Sequence, residues 1–68
     1  MYENFARLLA QARREAGLSQ QEVAERMDKP QTFVSRCERG ARRMDVIEFF
    51  EFAEAIGVDP LHLLKKLR

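Results

Sequence analysis

Sixty-eight residues make one domain over 1–68 and leave no volume for a deep catalytic cleft, since so short a chain buries only about 60% of its unfolded surface. A composition of 46% hydrophobic and 34% charged residues excludes a disordered chain, and no apolar run approaches the roughly 18 residues that span a bilayer. One cysteine excludes an internal disulfide and a thiolate metal cluster.

No signal-peptide pattern opens the chain, so a reducing cytoplasm is the expected setting. No membrane, metal or cofactor partner is expected. The net charge of +1 conceals an uneven distribution. Residues 26–43 carry six basic side chains (Arg26, Lys29, Arg36, Arg39, Arg42, Arg43) against Asp28 and Glu38, a local +4, which leaves −3 for the remainder. A confined basic zone of this kind suits an anionic partner, although a solvated face would look similar.

In chain order, residues 2–16 place Phe5, Leu8, Leu9, Ala12 and Ala16 on one helical face, and Gly17 suits the left-handed position that ends a helix. The next start is marked by Ser19 and Glu22, a capping box flanked by Leu18 and Val23 as a hydrophobic staple. A helix over 20–27 follows. Asp28-Lys29-Pro30 then forms a tight joint, and Pro30 suits the first turn of a helix over 31–38. Asp45 with Glu48 repeats the capping box before a helix over 46–56, stapled by Met44 and Phe49. Asp59 and Pro60 open a last helix over 60–67. The fold class is therefore all-α with five helices. Two short helices on so tight a joint cross steeply, with Ala24 as the small residue where they touch.

On the helix over 31–38, Val34 and Cys37 face inward while Gln31, Thr32, Ser35 and Arg36 face outward. Phe33 fits either a wedge between the third and fourth helices or the wall of a ligand surface. Helix four has a wide apolar stripe. Phe49, Ala53 and Ile56 fill its inward face with Phe50 beside them, whereas Ile47 and Phe52 extend the apolar surface around it. The acids Asp45, Glu48, Glu51 and Glu54 mostly form the solvated face of this helix. His62 lacks a neighbouring ligand for a metal, and Cys37 reads as a small core residue.

The runs LSQQEVAERMDKPQTFVSRCERG and FAEAIGVDPLHLL resemble the XRE/Cro-type helix-turn-helix domains of phage repressors and bacterial regulators. Agreement extends from about Phe5 to Leu64. Asp28 departs from the usual turn glycine, and Lys29 stands where an apolar residue is common. The resemblance implies a lambda-repressor-like fold, a bacterial or phage source, and sequence-specific binding to double-stranded DNA. It assigns base contacts to Gln31, Thr32, Ser35 and Arg36, whose side chains can read base edges in a major groove. It assigns backbone contacts to Gln20, Lys29, Arg39, Arg42 and Arg43, Arg43 being equally suited to pairing with Asp45. An ion pair of Arg13 with Glu38 would tie helix three to helix one. Such domains commonly bind palindromic sites as homodimers, and the expected interface uses Phe52, Leu61, Leu64 and Leu67.

Repression is the expected mode of action, with activation through a surface contact left open. A protein-interaction module such as an antitoxin or adaptor is the alternative. An enzyme is not expected, because no carboxylate pair, His–nucleophile set, metal-ligand spacing or phosphate loop is present.

Overall fold

The computed structural model describes residues 2–67. Its helices are α1 (Tyr2–Glu15), α2 (Gln20–Met27), α3 (Gln31–Glu38), α4 (Val46–Ile56) and α5 (Pro60–Leu64). Among the described residues there is no strand. The expected helix over 60–67 ends three residues early, because Lys65 and Lys66 lie in solvent and give its last turn no core to pack against.

Local chemistry sets the boundaries. Ser19 Oγ accepts the Glu22 amide while Glu22 accepts the Ser19 amide at 2.8 Å. Asp45 and Glu48 make the same reciprocal pair at the start of α4. Each box satisfies two amides that a helix start otherwise leaves without partners. The first four helices end alike, with paired bonds running back from two successive residues just past the helix. Leu18 and Gly17 donate to Arg13 and Arg14, and Val58 and Gly57 to Ala53 and Glu54. This ending requires a left-handed residue. Gly57 supplies it at φ 76°. After α2 the same bonds form around Asp28, a non-glycine residue at φ 58°. Pro30 lies one position earlier than expected, capping α3 in an extended conformation.

The inward faces converge on one core that includes Leu9, Val23, Ala24, Val34, Cys37, Phe52, Ala53 and Leu63. Ala24 is fully buried, and its lack of bulk lets α3 lie close across α2. Phe52 is the largest fully buried side chain, and burying a phenyl ring of this kind contributes about 1.5–3 kcal/mol. Two assignments on α4 are corrected by this packing. Phe52 is 0% exposed and lies inside the core, so it cannot belong to a dimer interface, whereas Phe50 is 52% exposed. Glu48 is also buried, at 8%, rather than part of the solvated face.

Candidate nucleic-acid interface

α3 is keyed into the molecule by Phe33, Val34 and Cys37, all buried. Phe33 is thus a core residue, and its ring also carries cations on its outer side. Burial pushes the Cys37 thiol up from its ordinary value, which leaves it neutral and unreactive. The opposite face of α3 presents Thr32 and Arg36 exposed, with Gln31 and Ser35 half-buried beside them. All four fall on one face because 32 and 36, like 31 and 35, are one helical turn apart.

A chain of polar contacts fixes this face to the rest of the fold. Arg13 is buried and grips Glu38 with two bonds, Nε to Oε2 at 2.6 Å and Nη2 to Oε1 at 3.1 Å. Its Nη1 donates to the Leu18 carbonyl. Gln20 Nε2 donates to Glu38 Oε1 at 2.9 Å, and Gln31 Nε2 donates to Gln20 Oε1 at 2.6 Å. Helices one, two and three are therefore linked through side chains that end on Gln31. That bond uses one amide hydrogen of Gln31. Its other hydrogen and its oxygen stay free, which is the pair a bidentate contact to adenine needs.

The basic zone separates into groups with different surroundings. Arg26 turns away and donates to the Ala55 carbonyl at the end of α4. Arg36 and Arg39 are exposed, and among the described residues no carboxylate lies within ion-pair distance of either. Arg43 stacks on the Tyr2 ring at 4.7 Å and makes no ion pair with Asp45. Tyr2 in turn ties down the loop after α3, since its hydroxyl donates to the Arg42 carbonyl and accepts the Met44 amide. Its phenol is raised from the ordinary value, chiefly by burial.

Lys29 and Arg42 form a separate group around Phe33. Arg42 lies 4.7 Å from the ring centroid and Lys29 5.3 Å. Glu48 accepts from both terminal nitrogens of Arg42, at 2.9 and 3.1 Å, and lies 3.9 Å from Lys29 Nζ. The guanidinium of Arg42, followed by the Asp45 amide, holds the Glu48 carboxyl below the usual carboxylate range. A shallow cleft of about 220 Å³ opens here, lined by Lys29, Pro30, Thr32, Phe33, Arg36 and Arg42. It joins this group to the outward face of α3.

The sequence reading missed the Glu48 and Tyr2 contacts. A glutamate at the third position of a capping box leans back over the loop before its helix, so a basic residue in that loop was the available signal. Of the residues expected at a dimer interface, Leu61 and Leu64 are exposed and Leu67 is half-buried. Val46, Ile47 and Phe50 add an exposed apolar strip on α4. Among the described residues, no helix is long and apolar enough to cross a membrane.

The model of a helix-turn-helix domain family matches residues 4–67. A curated relative, an uncharacterized HTH-type transcriptional regulator of Sinorhizobium fredii, is 46% identical over 61 residues, covering 90% of this chain and 74% of that protein. An XRE-family like protein from Pseudomonas syringae pv. tomato shares 50% identity with a TM-score of 0.90, over 97% of this chain and 80% of the other. A restriction-modification controller protein from Aeromonas hydrophila shares 27% identity with a TM-score of 0.85, over 91% and 94%.

Proposed function

The chain belongs to the helix-turn-helix domain family, of the XRE type, and from that footing we propose that it represses transcription as a homodimer on a palindromic operator. The observation that carries this reading is the outward face of α3. Gln31, Thr32, Ser35 and Arg36 share one face, and Gln31 is already held by Gln20. The Gln20 bond ties α3 to α2 and leaves the rest of this face directed outward, where it suits a major groove. Gln31 suits adenine, Arg36 suits guanine, and Thr32 offers a methyl to thymine. Ser35 adds a hydroxyl at the edge of this set.

Around it, Arg39 and Arg43 supply phosphate contacts, joined by Gln20, Lys29 and Arg42. These contacts set register and salt dependence rather than sequence preference. The dimer interface uses Ile47 and Phe50 of α4 together with Leu61, Leu64 and Leu67, because the first four are large apolar side chains exposed outside the core and Leu67 is half-buried. A two-fold axis there gives each operator two half-sites about one helical turn apart. Repression follows where such a site overlaps a promoter, because the bound dimer then excludes the polymerase sterically.

Selection of bound duplexes from a random pool tests the proposal. The expected product is an inverted repeat with half-sites about 10 bp apart, centre to centre. A pool that stays random after repeated selection contradicts sequence-specific binding. A single asymmetric half-site contradicts the dimer.

A further inference from the structure

We propose that Glu48 is an internal substitute for a DNA phosphate, a fixed carboxylate that competes with the duplex backbone for Arg42 and Lys29 and so weakens sequence-independent binding. The inference rests on the DNA-binding reading above and adds a residue of negative charge to it.

The geometry separates the charges by depth. Glu48 is 8% exposed, whereas the Arg42 and Lys29 side chains retain 42% and 35% of their exposure. The carboxylate therefore sits behind the cations, and the cations face the cleft that adjoins α3. A phosphate arriving from solvent meets a guanidinium already holding two charge-assisted bonds to an anion of the same fork-like geometry.

Two features distinguish competition from mere positioning. First, the capping role of Glu48 toward the Asp45 amide needs an acceptor oxygen and not a charge, and glutamine serves equally in a capping box. Second, Arg42 is held without Glu48, by its stack on Phe33 and by its own bond to the Arg43 carbonyl at 2.8 Å. What Glu48 alone adds is one negative charge between two cations. The pair and its anion carry +1 where Lys29 and Arg42 alone would carry +2.

The test compares the full chain with Glu48→Gln, measuring affinity for a random-sequence duplex between 50 and 200 mM KCl. Circular dichroism establishes that the variant is folded. The variant is expected to bind more tightly, with a log–log salt slope steeper by about 0.9, the value for one further phosphate contact. Adding Arg42→Ala to Glu48→Gln should remove the gain. An unchanged slope in a folded Glu48→Gln protein overturns the inference and leaves Glu48 a helix cap alone. A second arm keeps Glu48 in place. Arg42→Ala should lower the slope by less than Arg39→Ala does, since Arg42 is already partly neutralised, and equal losses overturn the inference. Failure of the unsubstituted chain to bind any duplex refutes the DNA-binding reading itself, a different result from binding without a Glu48 effect.

Discussion

Glu38→Ala should be among the most damaging single substitutions in this protein. The Glu38 carboxylate is 5% exposed and Arg13 is 10% exposed, and the acid accepts two bonds from Arg13 and one from Gln20. Removing it leaves a buried guanidinium with the Leu18 carbonyl alone. Breaking a buried pair from one side costs about 3–5 kcal/mol, because an uncompensated charge remains inside. A chain of 68 residues has a total stability of about 3–10 kcal/mol, so the variant should retain about 70% of its stability at best and none at the lower end of that range. For a domain of this size the loss lowers Tm by about 12 °C or more. Thermal unfolding followed by circular dichroism reads it directly. Replacing both partners with Met should cost less than Glu38→Ala alone, since no charge is then stranded. A loss below about 1 kcal/mol for Glu38→Ala would mean that the pair behaves as a surface ion pair, and would refute the buried link between α1 and α3.

Phe52→Ala should cost about 3–5 kcal/mol by opening a cavity in the core. Phe50→Asp should leave Tm almost unchanged and raise the dimer dissociation constant, read by sedimentation. Asp28→Gly should raise stability by about 0.5–1 kcal/mol, because glycine takes the left-handed turn without the crowding of a Cβ; a lower Tm would contradict that account. Glu48 and Glu22 both have carboxyls held below the usual range, by Arg42 and by the Ser19 cap respectively. Their contribution is therefore complete above the unfolded carboxyl value, about 4.3, and is lost as pH falls through the lower folded values. Glu48→Gln should accordingly flatten the acid limb of the Tm profile below about pH 5, and an unaltered limb would count against the Arg42 pair.

What the sequence revealed was chiefly local. Ser19 with Glu22 and Asp45 with Glu48 lie three residues apart, so their caps follow from spacing alone, and the starts of α2 and α4 with them. The outward face of α3 was legible for the same reason. The exchange of Phe50 and Phe52 was an avoidable error. At about 100° per residue, Phe52 lies some 60° from Phe49 on the side of Ile56, whereas Phe50 lies some 100° away on the other side. The early end of α5 depended on whether a core lay beneath residues 65–67, which periodicity does not report. The contacts around Phe33 and Tyr2 were out of reach for a different reason. Tyr2 meets residues 42 and 44 across some forty positions, and that meeting is set by how α1 packs and not by any motif.

The central claim is that the outward face of α3 reads bases. The most direct measurement is the affinity of the double variant Gln31→Ala, Arg36→Ala for an operator selected with the unsubstituted protein. Each lost bidentate contact is worth about 1–3 kcal/mol. The account predicts a fall in operator affinity of at least about 30-fold, with the protein still folded, Tm lowered only by the lost Gln31–Gln20 bond (about 0.5–1.5 kcal/mol), and random-duplex affinity reduced only by the lost Arg36 charge. Operator affinity equal to that of the unsubstituted protein would contradict it.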